Sequence, residues 1–242
     1  MEGVPVIFLF LLIVPHLTFA QEPVFERVET PDKKIFPGET LVYKIEYLGV
    51  PVGEGRAEVK EKIIFNNRPA YPIVVTVHSY KAIDWIYKVR DEHHSYIDAE
   101  KLVSLGYRKK IHEGRRKREE SVDYGLGKSV QDPVSCGYFF RTLAVKPESS
   151  VFIPVLADGK NWNMEVKLHG IKSMRFSKIG SFQALEAEPL MAFQGIFFRK
   201  GRIRGWISLD KRRIPLKMSV RIPVLGPVTA ELKEYRPGKE TS

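Results

Sequence analysis

The chain has 242 residues, with 39 Lys and Arg against 29 Asp and Glu, a formal charge of +10, and a single cysteine. One cysteine excludes an internal disulfide, so stability must come from the core. The basic balance favours contact with anionic surfaces such as phospholipid headgroups or acidic polysaccharide.

Residues 1–20 read as a signal peptide. Val4 to Val14 is an apolar run too short to span a bilayer comfortably, and Thr18 and Ala20 are small residues suited to cleavage after Ala20. The amino-terminal region carries Glu2 and no Lys or Arg, which leaves retention as a membrane anchor as the alternative. No cysteine follows the cleavage point to carry a lipid anchor. Export, with the periplasm as destination, makes nucleic acid a poor partner. The mature chain, Gln21 to Ser242, carries +11 and is long enough for one β domain, with no linker-like stretch to divide it. The expected organisation is a polar lead-in over 21–35, one β domain over 36–236 and a tail over 237–242.

Phe36-Pro37-Gly38-Glu39 introduces a strand in which Leu41, Tyr43, Ile45 and Tyr47 alternate with polar or outward residues, and Gly49-Val50-Pro51 turns it. On the return strand Gly53, Gly55, Ala57 and Val59 face inward, and two glycines opposite two tyrosines predict curvature or another element packed closely. The tyrosines filling that space is the alternative. Asn66-Asn67-Arg68-Pro69 makes the next turn, and Ile73 to Tyr80 is a β-branched central strand. Lys81 to Lys88 breaks the alternation as a short helix or bent loop, and strands follow over 90–97, 102–112 and 115–124.

Asp132-Pro133 starts a helix, because aspartate caps free amides and proline is tolerated in the first turn. Cys136, Phe139, Phe140 and Leu143 form its apolar stripe. A second meander begins near Val151, with turns at Asp158-Gly159, His169-Gly170, Gly180 and Lys200-Gly201. It ends in the clearest stretch of the chain. Ile214, Leu216, Met218, Val220 and Ile222 alternate with polar residues, Pro223 to Pro227 breaks the strand, and Val228, Ala230 and Leu232 resume the alternation. The fold class is mainly β: one strongly curved antiparallel sheet or open barrel, a meander of ten to twelve strands with one or two short helices. Such a sheet must curl or close, because twisted open sheets seldom exceed about ten strands.

Phe36-Pro37-Gly38-Glu39 with Tyr43 and Tyr47, Gly53, Asp132-Pro133 with Ser135 and Arg141, and Trp206, Ser208, Asp210, Arg213, Pro215 and Gly226 carry a resemblance. In their order and spacing the chain resembles the exported bacterial proteins of domain-of-unknown-function family 3108. That resemblance implies export and this curved fold and brings no activity with it. By analogy of fold alone, such a sheet is similar to the periplasmic carriers of lipoproteins.

Asp91, Glu92, His93 and His94 are the densest set of candidate metal or acid–base groups, but strand alternation sends Asp91 and His93 to one face and Glu92 and His94 to the other. No metal site and no cofactor is assigned. Cys136 lies on an apolar stripe with no base or orienting group near it in sequence, and Ser135 lies outside any nucleophile elbow, so no catalytic residue is named and the chain reads as a non-enzyme. Arg108, Lys109, Lys110, Arg115, Arg116, Lys117 and Arg118 place seven cations in eleven residues of one hairpin: either a solvated sheet edge or a patch for anionic lipid. Asp132, Arg141, Asp210 and Arg213 are structural polar residues serving as cap, ion-pair partner or turn residue. Tyr43, Tyr47, Trp85, Phe139, Phe140 and Trp206 are the candidate ligand-binding aromatics.

Two functions lead at this point, with a hydrolase or metal enzyme as a third, least favoured reading because no motif supports it. One is a periplasmic, non-catalytic carrier of an amphipathic envelope ligand, lipid or lipidated partner. The other is an envelope interaction module that contacts polysaccharide or a partner protein. The oligomeric state is not legible.

Overall fold

The computed structural model describes residues 35–125, 128–157, 159–190, 202–222 and 226–239. The expected signal segment, nearly all of the lead-in, the Lys200-Gly201 turn and parts of the Gly125–Gly127 and Pro223–Pro227 breaks lie outside the described residues. The first wing comprises β1 (Thr40–Tyr47), β2 (Val50–Val59), β3 (Ile63–Phe65), β4 (Arg68–Ser79), helix α1 (Lys81–Tyr87), β5 (Arg90–Asp98), β6 (Ser104–Glu113) and β7 (Arg116–Asp123). Helix α2 (Ser135–Phe140) follows. The second wing is β8 (Ser149–Ala157), β9 (Lys160–Phe176), β10 (Gly180–Leu190), β11 (Arg202–Ser208), β12 (Pro215–Ile222) and β13 (Gly226–Arg236).

All these strands belong to one sheet of 13, in the order β7-β6-β5-β4-β2-β1-β13-β12-β11-β10-β9-β8, with β3 paired to β4. Two meanders are therefore joined through the first and last strands, β1 and β13, whose eight paired positions run from Thr40–Arg236 to Tyr47–Val228. β7 and β8 are the two ends of the path, so the sheet does not close strand to strand. A strap covers the seam instead. The Gln131 amide donates to Pro154 O and its carbonyl accepts from Leu156 N, both at 2.8 Å, while the Ser104 amide donates to Val130 O at 3.0 Å. The Gln131 side chain, which is buried, also donates to Leu102 O at 2.8 Å. Backbone groups of the edge strand β8, and of β6 where it runs past the end of β7, thus find partners that would otherwise be left to solvent.

The turns follow from local chemistry. Leu48-Gly49 and Asn66-Asn67 each place two successive residues at positive φ, the requirement of a two-residue hairpin whose twist matches its strands. The first hairpin thus turns one residue earlier than Gly49-Val50-Pro51 suggested, and Val50 and Pro51 already belong to β2. The expected break at His169-Gly170 is absent, because β9 runs through it for 17 residues. Leu168 faces Ala187 and Ile171 faces Leu185, so His169 and Gly170 together oppose Glu186 as a bulge. A glycine in a strand interior marks a bulge as readily as a turn, and only the partner strand distinguishes them.

Three apolar clusters fill the concave side. Ile153, Val155, Met164, Val166, Leu168, Leu185 and Ile207 of the second wing pack with Leu143. Val59, Tyr71, Ile73 and Ile97 of the first wing pack with Ile35 and Tyr138. Leu41, Leu216 and Leu232 form a third with Phe176 and Ala184 of the β9–β10 hairpin. Phe139 of α2 packs against both of the first two, so this six-residue helix plugs one end of the curved sheet.

Candidate functional site

The plugged end is held by two buried polar centres. The Asp132 carboxylate accepts from the Val134 and Ser135 amides at 2.7 and 2.9 Å, which starts α2, and from the Ser95 and Ser104 hydroxyls at 2.6 Å each, which ties the helix to β5 and β6. Burial pushes this carboxyl above its ordinary range, against the pull of those four donors. Arg141, just past α2, donates to both Glu39 oxygens at 2.6 and 2.8 Å and to Arg212 O at 2.9 Å, with its guanidinium 5.2 Å from the Tyr138 ring centroid. Arg141 and Glu39 are 1% and 0% exposed. Every charge in this network is answered inside it, and the network holds α2 to both wings.

The opposite half of the concave face is built differently. Beyond the last filled layer, Ile45 faces Ala230 and Ala230 faces Met218, while in the next row Tyr47 faces Val228 and Val228 faces Val220. These residues continue the faces of Leu41, Leu232 and Leu216, yet they are half-buried or exposed, Met218 reaching 50%. The row is low because small residues interrupt it. Gly205 lies between Ala187 and Met218 in register, and a Cβ there would meet nothing nearer than 3.9 Å. Gly53, opposite Ile45, has a different reason: a Cβ would lie 2.4 Å from His78 O, so the close approach of β4 requires glycine. Tyr43 and Ile45 cover Gly55 themselves, which is the filling alternative for that glycine. A part-exposed apolar row, the basin, therefore runs across β11, β12, β13 and β1.

Farther along the first wing, in register with Leu41 and Ala57, the same face turns polar. Val75, His93, Lys109 and Glu120 succeed one another across β4 to β7 on the same face. His93 Nδ1 shares a hydrogen bond of 2.6 Å with the Tyr107 hydroxyl, and Lys109 lies 3.1 Å from Glu120. Burial first, then Lys109 and His94, push the His93 imidazole down to about 4, so it is neutral near neutral pH.

Of the candidate aromatics, Tyr47 rims the basin and is 36% exposed. Tyr43 lies below it and donates to Pro215 O at 2.8 Å, with burial raising its phenol far above the ordinary range. Phe139 and Phe140 pack into the plugged end, Trp206 packs beside the third cluster, and Trp85 stands on α1 with 82% exposure. The six are not one pocket. Asp91 to His94 divide between the faces as alternation requires: Asp91 accepts from the His112 amide at 2.9 Å, and His94 pairs with Glu92 at 2.5 Å. Among the described residues no three His, Cys, Asp or Glu side chains converge as a metal site would need. Burial pushes the Cys136 thiol up to about 12. In the basic hairpin Lys110 pairs with Glu119, and Lys109 and Arg118 pair with Glu120, while Arg108 lies over the Tyr96 ring. A shallow groove of about 470 Å³ beside it is lined by Thr76, Val77, His78, Arg90, Asp91, Glu92, Lys110 and His112. Asp210 accepts from the Arg212 and Arg213 amides and so sets the turn in which Arg213 has a φ of 46°.

Sequence reasoning missed Glu39 as the partner of Arg141, and it missed Gly205, Met218 and Ala230 as the basin floor. Glu39 opens the alternating strand just after Pro37-Gly38, and an acid there is the one sequence signal available. The basin residues carry no signal apart from the strand pattern.

No curated protein matches the chain in sequence. Among solved structures, a barrel-like protein of domain-of-unknown-function family 1849 from Brucella abortus aligns over 84% of this chain and 98% of its own at a TM-score of 0.53, with 9% identity, which shows a shared fold. A hypothetical protein of Chlamydia trachomatis aligns over 85% of this chain and 90% of its own at 0.40 with 12% identity. A family model described as protein of unknown function (DUF3108) matches residues 42–129 and 126–233, two stretches that meet near the strap between the wings, and by that match the chain belongs to this family.

Proposed function

We propose that the protein is an exported, non-catalytic binding or carrier protein that holds the apolar part of an amphipathic envelope ligand in the open half of its curved sheet. The observation that carries this reading is the apolar row over Gly205, Met218, Ala230 and Ile45, which is continuous with the core yet left open to solvent. The polar wall at His93 and Lys109 suits a ligand with a headgroup. At the plugged end Arg141 is committed to Glu39, and Asp132 to four neutral donors. That commitment supports a structural role for them. The second reading, an interaction module of the envelope, draws support from the filled plugged half.

The test is to express the protein with its own amino-terminal segment, purify it from the periplasm without detergent, and record native mass spectra before and after organic extraction. Mass additions that vanish on extraction, and that are missing from Gly205→Leu, support the carrier and identify its cargo. A bare mass beginning at Gln21 supports export with cleavage and moves the assignment to the interaction module.

A further inference from the structure

Helix α1 buries none of its residues against the sheet. Trp85 and Ile86 are 82% and 65% exposed, which is unusual for side chains this large. The helix sits on the rim of the open half, between the end of β4 and the start of β5. Its neighbours there are fixed by backbone bonds. The Tyr80 amide donates to Val52 O at 2.9 Å, which sets α1 beside the β1–β2 turn, where Leu48 and Val50 are 58% and 59% exposed. The Gly114 amide donates to Lys88 O at 2.7 Å, which sets it beside the β6–β7 turn. Apolar tips therefore project from two adjoining segments of one rim.

The charge around these tips is mostly positive, with the half-buried Glu113 at the end of β6, beside Tyr87, as the exception. Lys81 and Lys88 flank the helix and are exposed, as are Arg115 and Lys117 of the adjoining turn. The one acid of the helix, Asp84, is taken up by Arg90 at 2.6 Å and by the Ser79 hydroxyl at 2.5 Å. Cores of protein interfaces are depleted of lysine, whereas amphipathic segments at a bilayer surface combine Trp, Leu and Ile with flanking Lys and Arg whose heads reach the phosphates. We infer that this rim, α1 with the β1–β2 and β6–β7 turns, docks on an anionic lipid surface, Trp85 and Ile86 entering the headgroup region and Lys81, Lys88, Arg115 and Lys117 meeting the headgroups. The docking needs no ligand in the basin. It orients the open half of the sheet toward the bilayer, the direction from which the proposed cargo would enter.

Trp85 itself is the probe. In the full chain carrying Trp162→Phe and Trp206→Phe, tryptophan emission reports this rim alone, independent of any contact that the apolar run near the amino terminus makes. Vesicles of phosphatidylglycerol with phosphatidylethanolamine should shift the emission to shorter wavelength, and vesicles of phosphatidylcholine should do so far less. Arg115→Gln and Lys117→Gln should each weaken the partition roughly fivefold, an effect that added salt abolishes. In the chain with all three tryptophans, Trp85→Ser with Ile86→Ser should weaken sedimentation with the anionic vesicles by at least about tenfold. Trp85, Ile86, Arg115 and Lys117 are exposed, so folding is not at stake in their replacement, and circular dichroism checks the fold of the chain carrying Trp162→Phe and Trp206→Phe. Unchanged Trp85 emission on vesicles, with or without sedimentation of the chain, overturns the inference. So does an emission shift that grows with protein concentration before any lipid is added, which would assign the rim to a second copy. Gly205→Leu should dock normally while carrying no cargo, so the two readings fail separately.

Discussion

Glu39→Gln isolates the most deeply buried ion pair among the described residues. The Arg141 guanidinium is 1% exposed, its Nε has no hydrogen-bond partner among the described residues, and its charge is answered by two bonds to one carboxylate and one to Arg212 O. Neutralising Glu39 leaves a buried cation facing an amide. Breaking one side of such a pair costs about 3–5 kcal/mol, because the remaining charge keeps its desolvation penalty and loses its compensation. In a domain of this size that lowers Tm by roughly 6–20 °C. Urea unfolding followed by far-ultraviolet circular dichroism reads the change as a lower midpoint at unchanged slope. Replacing both partners, as Glu39→Leu with Arg141→Met, should recover much of the loss, since no charge is then stranded. A single variant within about 1 kcal/mol of the parent, or a double variant no better than the worse single, would refute the argument that charge compensation holds α2 to β1.

Four further outcomes follow from particular contacts. Asp132→Ala should cost about 4 kcal/mol in the same unfolding assay, because it removes a cap and strands two buried serine hydroxyls, whereas Asp210→Ala in its exposed turn should cost at most about 1 kcal/mol. His93 titrates near 6.5 when unfolded and near 4 when folded, so the unfolded chain binds more protons between those values. Stability should therefore rise with pH across that window and be lost as pH falls through it, by up to about 3 kcal/mol, and His93→Gln should flatten that slope. A His93→Gln chain with the parent's pH profile would remove the imidazole as its cause. Gly53→Ala should destabilise by about 2–3 kcal/mol because its Cβ meets His78 O, while Gly205→Ala should cost under about 1 kcal/mol because nothing stands there. With its thiol pushed up to about 12, Cys136 should resist alkylation at pH 8 in the folded protein and react promptly in denaturant; rapid native labelling would show that the thiol is not desolvated.

Alternation was the part of this fold open to sequence reading. Leu41, Tyr43 and Ile45 face inward, Gly53 to Val59 answer them, and the hairpin from Pro215 to Arg236 pairs as its pattern demands, because a period of two admits one burial assignment per strand. Asp132 before a proline and an apolar stripe located α2 for an equally local reason. Gly170 shows the limit. Its bulge and a turn look alike until β10 supplies the partner.

What the chain alone determined, then, is most of the strands with their inward faces and the helix start, since these depend on residues a few positions apart; the short β3 and the unbroken β9 were not among them. Which strands end the sheet, the strap at Gln131, the pairing of Glu39 with Arg141 102 residues away, and the opening over Gly205 were decided by tertiary structure. Each depends on contacts between segments whose separation leaves no periodic trace, and the open basin depends on what the packed neighbours leave unfilled.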